Sequence, residues 1–431
     1  MVLNSEIRCI YISEMANKEF YFEDLSQIKS KLYHFANRFE HCNVYDSNEV
    51  QTALGINKYE CLVGLGLKKK LSGTTSEIFE QIKHSGRWIF GYFEYRDMIH
   101  HTGCPGFLYE PLVVLYILND TEVLVMQNNG MEDNDFALMA SDFLNFTVSE
   151  QIVEPISVDF KPQTSRADYL KQVEVIKSDI VKGTYYEMNY CIEFKSELGP
   201  RDFLPYFLRL NEKTAAPFAA YVKQPDYTVL CSSPERFVLK NGNVLYSQPI
   251  KGTNKRLEGA ENAKQLERLR NSEKEQAENV MIVDLVRNDM SKVCEPGTVV
   301  VTELFGTYAF KTVNHLISTV TGQLKPAIDF GDMMWALFPM GSMTGAPKTE
   351  VMKHIDAYEH AERGVYSGCM GYIEPGGDFD FNVLIRSLVY DTLKSEISYK
   401  VGSAITFDSI AEEEYEECIL KGNRLFEVMR Y

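Results

Sequence analysis

Strand-forming segments follow one another in runs along this chain, and that order limits the folds open to it. Trp88 to Tyr95 (WIFGYFEY) and Leu112 to Leu118 (LVVLYIL) are rich in aromatic and β-branched residues, as strands are. Tyr186 to Phe194, Phe218 to Val222, Thr228 to Ser232 and Arg236 to Leu239 then succeed each other. Parallel sheets need a crossover, usually a helix, between paired strands, so runs of this kind predict antiparallel sheets and an α+β fold. Helices are expected at Glu23 to Phe39 and from the Ser165 cap to Lys182, where Gly183 stops the turn. Three further long helices are read at Gly259 to Asp289, Pro347 to His360 and Glu412 to Met429. The polar stretch Glu154 to Ser165, with Pro155 and Pro162, separates an N-terminal region, 1–150, from a larger region, 165–431. No internal repeat or low-complexity tract is present.

Charge narrows the partners. The balance is 44 − 61 = −17, which argues against nucleic acid or an anionic membrane surface. An anionic substrate therefore has to be met by a local cluster of cations, backbone N–H groups or a metal. Nine cysteines run from Cys9 to Cys418 without a C-x-x-C pair, which fits a reducing cytoplasm better than a disulfide framework or a zinc site. Met1 to Ile10 lacks the apolar core of a signal peptide, and the apolar run Pro111 to Leu118 falls short of the ~20 residues a membrane helix needs. A cytoplasmic protein with no membrane partner is expected.

Two segments carry unusual chemistry. Gln248 to Thr253 (QPIKGT) sets Lys251 between a proline turn and a glycine, with no other cation before Lys255. A lysine there is by default a solvated turn residue, but a desolvated one becomes a nucleophilic amine. The Asn241-Gly242 turn would fold Ser233 to Phe237 (SPERF) back alongside it, pairing Glu235 with Lys251 for proton transfer. In Ala277 to Asp289 (AENVMIVDLVRND), Glu278 shares a helical stripe with Met281, Ile282 and Leu285, and a charge in such a stripe is costly unless something binds it. Glu417, four residues before Lys421, reads by itself as a surface pair. Two carboxylates from separate helices are also how Mg²⁺ is usually held.

Gly341 to Lys348 (GSMTGAPK) leads a glycine-rich turn into a helix N-terminus, an anion cradle if it faces a ligand and a flexible turn otherwise. Ala346-Pro347 exclude a nucleotide P-loop. His315 and Arg386 sit in apolar, strand-like runs. The histidine belongs by default to the core, whereas a buried guanidinium wants a carboxylate partner. The adjacent His100 and His101 point apart on any regular element and read as a loop.

Together, SPERF, QPIKGT, AENVMIVDLVRND, Val313 to Gly322 (VNHLISTVTG), GSMTGAPK, Tyr366 to Tyr372 (YSGCMGY) and Ile385-Arg386-Ser387 resemble the chorismate-utilising enzymes, from about Ser165 onward. That family includes anthranilate synthase component I and the isochorismate and salicylate synthases. The resemblance implies large antiparallel sheets packed as a sandwich with helices outside. Anthranilate synthases usually carry alanine between Pro-Ile and Gly-Thr, and aminodeoxychorismate synthases carry lysine. Lys251 thus resembles the branch in which a lysine attacks C2 of chorismate and ammonia then enters at C4.

By the same resemblance, Glu235 is the acid/base partner and His315 assists departure of the hydroxyl. Thr344, Lys348, Tyr366 and Arg386, with Gly402 and Ser403 of the glycine-rich strand, position the substrate carboxylates, and Glu278 and Glu417 hold Mg²⁺. Ammonia is expected from a separate glutamine amidotransferase, since no cysteine here lies in a nucleophile elbow, and a separate lyase is expected to complete p-aminobenzoate. Three departures stand out: Ala404 replaces a second glycine, Glu187-Met188-Asn189 replaces Gln-x-Asn, and Val44 to Ser47 replaces the Leu-Leu-Glu-Ser signature linked to tryptophan inhibition.

Overall fold

The computed structural model describes residues 8–10, 17–50, 55–100, 103–148, 158–427 and 429. Most of the Met1 to Ile10 segment, His101 and positions 154–157 of the expected linker lie outside the described residues.

Among the described residues, two large sheets, antiparallel throughout, form the frame. The larger, of 13 strands, has at its centre Tyr59–Leu65, Cys42–Asp46, Phe218–Lys223, Tyr227–Ser233, Ser387–Asp391, Glu396–Ile405 and Glu187–Glu197, in that order. The smaller, of 10 strands, runs from Ile250–Lys255 through Val313–Gln323, Val244–Gln248, Arg236–Asn241, Phe379–Val383 and Cys369–Ile373 to Ile89–Phe93. Strands from 1–150 take interior places in both sheets. Cys42–Asp46 pairs with Phe218–Lys223, and Ile89–Phe93 pairs with Cys369–Ile373.

The sheets stack face to face. Ala220, Val222, Val229 and Cys231 of the larger pack with Tyr92 and Met370 of the smaller, and Tyr59, Leu62 and Val114 pack with Trp88, Phe90 and Tyr372. Helices cover the outer faces. Leu25–Ala36, Arg166–Val181, Leu204–Thr214 and Ala411–Phe426 lie over the larger sheet, while Thr75–Ser85, Glu273–Val293 and Phe330–Leu337 cover the smaller. Covering both faces explains why Tyr59–Leu65 is buried at every position instead of alternating. Among the described residues, no helix is long and apolar enough to cross a membrane.

Local chemistry sets the element ends near the site. Ser165 caps Arg166–Val181 by accepting from the Asp168 N–H, and Gly183 takes a left-handed φ of 79° beyond its end. The helix expected as one piece at Gly259 to Asp289 is two, Gly259–Arg270 and Glu273–Val293. The break follows from Asn271 ending the first and the Ser272 hydroxyl accepting from the Glu275 N–H to start the second. Arg386 also departs from its strand-like reading. It lies in the turn before Ser387–Asp391 with φ 53°, a conformation that costs about 1–3 kcal/mol unless its surroundings hold it.

Candidate active site

A cavity of about 800 Å³ opens between the ends of the two sheets and the helices Glu273–Val293 and Ala411–Phe426. Its wall includes Glu235, Lys251, His315, Tyr366, Arg386, Gly402, Ser403, Glu278 and Glu417, so most of the residues singled out in the sequence meet at one place. Lys255, Lys274, Lys400 and Lys421 also line it, so an acidic protein gathers six lysine and arginine side chains against five carboxylates at this wall.

The Asn241-Gly242 hairpin pairs Arg236–Asn241 with Val244–Gln248, and the chain then enters Ile250–Lys255. This brings Glu235 and Lys251 to the same wall, as the spacing predicts, but not into direct contact as a pair. The Lys251 Nζ donates instead to Glu187 Oε1 at 2.8 Å, and Glu187 is fully buried at 1% exposure. The isolation read from the sequence is thereby corrected. Burial opposes the Lys251 charge, but the carboxylates of Glu187, Glu278 and Glu235 outweigh it and hold the ammonium above its ordinary pKa. Glu235 behaves in the opposite way. Burial pushes its carboxyl up to about 7, and the Ser342 hydroxyl, the Ile250 N–H and the Lys251 charge only partly offset that effect. It is thus an acid poised near neutrality.

His315 is buried at the start of Val313–Gln323, its Nδ1 hydrogen-bonded with the Thr253 hydroxyl at 2.9 Å and its ring edge-on to Phe310. Gly402 is required by its neighbours: a Cβ there would come within 2.3 Å of Asn189 Oδ1 and 2.8 Å of the Tyr366 hydroxyl. Beside it, the Ser403 hydroxyl donates to Glu414, and the Gly402 carbonyl accepts from Lys421 Nζ at 2.9 Å.

Thr344 and Lys348 do not join this wall. The Thr344 hydroxyl is fully buried and donates to the Met340 carbonyl at 3.1 Å. Lys348, its side chain 14% exposed, forms an ion pair with the buried Asp289 and donates to the Leu337 carbonyl at 3.1 Å. The GSMTGAPK segment packs as structure. A Cβ on Gly345, whose φ is 146°, would meet the Glu187 carbonyl at 2.0 Å, and Gly345–Ala346 pairs with Glu187 and Met188. Its work is to pin the strand that carries Glu187, with Ser342 and Met343 reaching the cavity. His100 pairs with Asp356 at 2.9 Å, away from the site.

The carboxylates divide by environment. Burial raises Glu278 and Glu275, which sit side by side on one helix. Burial also acts on Glu417, but the Lys421 ammonium at 2.5 Å draws its carboxyl below the ordinary range. With Glu414, these acids present oxygen donors from two helices to the cavity. Among the described residues, no group of three acids, histidines or cysteines converges tightly enough to form a closed metal cage. An open, oxygen-only set of this kind fits Mg²⁺ that keeps waters and substrate in its shell, and does not fit zinc.

Sequence reasoning marked Glu187 only as a departure without a role, and passed over Arg363. Glu187 left a signal, since an acid two positions before Asn189 shares a strand face with a residue of the cavity wall. Arg363 left none. Buried at 2% exposure, it forks onto Glu359 at 2.6 and 2.8 Å and bonds the carbonyls of Met343 and Asn189, tying together segments that frame the cavity.

The family described as chorismate binding enzyme matches residues 67–427. The chain belongs to this family. As a chorismate-binding enzyme it is similar to the chloroplastic aminodeoxychorismate synthase of Arabidopsis thaliana, 37% identical over 308 residues, 70% of this chain and 32% of that one. It is also similar to aminodeoxychorismate synthase component 1 of Escherichia coli, 36% identical over 271 residues, 63% of this chain and 59% of that one. The match thus spans about a third of the plant protein and somewhat over half of the bacterial one. Among solved structures, anthranilate synthase component I from Streptococcus pneumoniae superposes with a TM-score of 0.73 at 20% identity, covering 100% of this chain and 95% of that one. That likeness is one of fold, the sandwich the sequence resemblance implies.

Proposed function

We propose that this chorismate-binding enzyme is the aminodeoxychorismate synthase component I that makes 4-amino-4-deoxychorismate from chorismate and ammonia. The observation that carries the reading is Lys251, a primary amine whose side chain is only 11% exposed, in the wall of the cavity. In this reading the Lys251 Nζ forms a bond to C2 of chorismate, the ring double bond shifts and the C4–O bond breaks. Glu235, poised near neutrality, gives its proton to the departing hydroxyl, which leaves as water. Ammonia then bonds to C4, the double bond returns, the C2–N bond to Lys251 breaks, and the new C4 ammonium gives its surplus proton back to Glu235.

His315 is the neighbour that assists the hydroxyl, and Tyr366, Arg386, Gly402 and Ser403 take the substrate carboxylates. Glu278 and Glu417 would hold Mg²⁺, which neutralises the ring carboxylate when bound. Thr344 and Lys348 act behind the wall, through the segment they pack. Ammonia comes from a separate glutaminase subunit, a reading supported by the component name of the bacterial relative. Eight unpaired cysteines among the described residues, most of them buried, support a cytoplasmic location, and the product serves p-aminobenzoate and folate synthesis.

The test is a product assay with chorismate, Mg²⁺ and an ammonium salt, beside Lys251→Ala. A product that keeps its enolpyruvyl group and becomes p-aminobenzoate only with added lyase is expected, with the variant losing most activity. Anthranilate with release of pyruvate would make the chain an anthranilate synthase component I. No turnover at all would make it a non-catalytic paralogue that binds chorismate or a glutaminase.

A further inference from the structure

Glu187 is the carboxylate closest to the chemistry that the proposed mechanism leaves without a task. It is 1% exposed, its Oε1 accepts from Lys251 Nζ at 2.8 Å, and its Oε2 has no hydrogen-bond partner among the described residues. A buried polar atom left unbonded costs about 1–3 kcal/mol. The backbone leaves Glu187 little freedom to escape that cost. Its strand is held on one side by Glu396–Ile405 and on the other by Gly345–Ala346, where the glycine has no room for a side chain.

Resting on the reading above, we propose that Glu187 is the proton acceptor of Lys251. As an ammonium, Lys251 has no lone pair with which to attack. When Nζ bonds to C2, one N–H proton passes along the existing hydrogen bond to Glu187 Oε1, and the freed electron pair forms the C–N bond. When ammonia expels the lysine, that proton returns to Nζ. The cycle is closed and needs no other reactant. The other acids facing Lys251 are differently engaged. Glu235 is an acid pushed up by burial, and Glu278 lies beside Lys274, at 3.9 Å, and Glu275 on its own helix. A substrate that seals the cavity would strengthen the exchange, because desolvation penalises the two charges of the pair more than the neutral acid and amine.

The experiment compares wild type, Glu187→Gln and Glu187→Asp, each checked for native circular dichroism. The pH profile of kcat/KM is read first. Wild type is expected to show no gain in rate from pH 7 to 9 attributable to lysine deprotonation. Glu187→Gln should lose at least tenfold at pH 7 and regain about tenfold per pH unit relative to wild type, the Glu235 limb falling in both, while Glu187→Asp keeps the wild-type profile at a reduced rate. In a second arm, without chorismate and with chelator present, Lys251 is labelled with an amine-reactive reagent across pH and read by peptide mass spectrometry. Its midpoint should fall in Glu187→Gln, because the lysine loses its adjacent carboxylate. A Glu187→Gln enzyme with wild-type rate and profile, or an unshifted labelling midpoint, overturns the proposal. If wild type makes no aminodeoxychorismate, the functional reading fails and the labelling arm alone decides whether Glu187 governs the Lys251 proton.

Discussion

Lys348→Met separates two accounts of the same lysine. The family resemblance makes it a substrate-carboxylate ligand, whereas the fold pairs it with the buried Asp289 behind the cavity. Removing one member of a buried pair costs about 3–5 kcal/mol, because the other charge is left uncompensated. The low end applies here, since Asp289 keeps a second partner, Lys292, at 2.7 Å on the exposed side of the helix. A loss of about 3 kcal/mol is expected, roughly a hundredfold in the folding equilibrium. Urea unfolding followed by fluorescence reports it, because Trp88 is buried in the core. Adding Asp289→Asn should return part of the loss, as a neutral amide replaces a carboxylate left with Lys292 alone. The KM for chorismate in the single variant, measured below its unfolding range, should stay within about twofold of wild type. A variant with unchanged urea midpoint and a KM raised tenfold or more would refute the reasoning, for the ammonium would then be reaching substrate.

Glu235 gives a pH test. With its carboxyl raised to about 7, the acid form is needed and kcat/KM should fall as pH rises through neutrality, a limb absent from the residual activity of Glu235→Gln. The linked stability has the same sign: wild type loses stability as pH rises from its unfolded carboxyl range through about 7, so the glutamine variant should gain on wild type between pH 5 and 8. Gly402→Ala should leave the urea midpoint nearly unchanged but cut kcat/KM at least tenfold, because the new methyl displaces Asn189 or Tyr366 from the wall; wild-type kinetics would contradict this. Chelation should abolish turnover, with Mg²⁺ restoring it, and Glu278→Gln should raise the Mg²⁺ concentration needed by tenfold or more; turnover persisting in excess chelator would exclude a metal role.

Much of the fold was legible because it rests on local signals. The runs of β-branched and aromatic residues mark the strands, and Ser165 with Gly183 marks both ends of one helix. The split at Asn271-Ser272 was missed although its signal was present, an Ser-x-x-Glu start overridden by the length of the helical pattern. The site was legible where function demands an unusual residue in an unusual place, as at Lys251, Glu235 and Glu278. It was not legible where meaning depends on a partner distant in sequence. Nothing local tells Lys348 that it will face Asp289, or Lys251 that a carboxylate 64 positions upstream will hold its proton. Arg363 is the extreme case, an ordinary arginine in sequence whose donors are nearly all engaged in the folded chain.

The placement of Ile89–Phe93 bears on how the molecule is made. One edge of this strand pairs with Gly106–Glu110, close behind it in the chain, but the other pairs with Cys369–Ile373, and Phe93 lies opposite Cys369. On a ribosome adding about 5–20 residues per second, the second partner follows by roughly 15–55 seconds. For that interval a ribbon of apolar strand carries a row of open N–H and C=O groups, the template from which edge-to-edge association starts. The nascent chain thus has a long window of dependence on chaperones, and the same geometry forbids dividing it: a fragment beginning near Ser165 would expose the edges of Phe218–Lys223 and Cys369–Ile373 together.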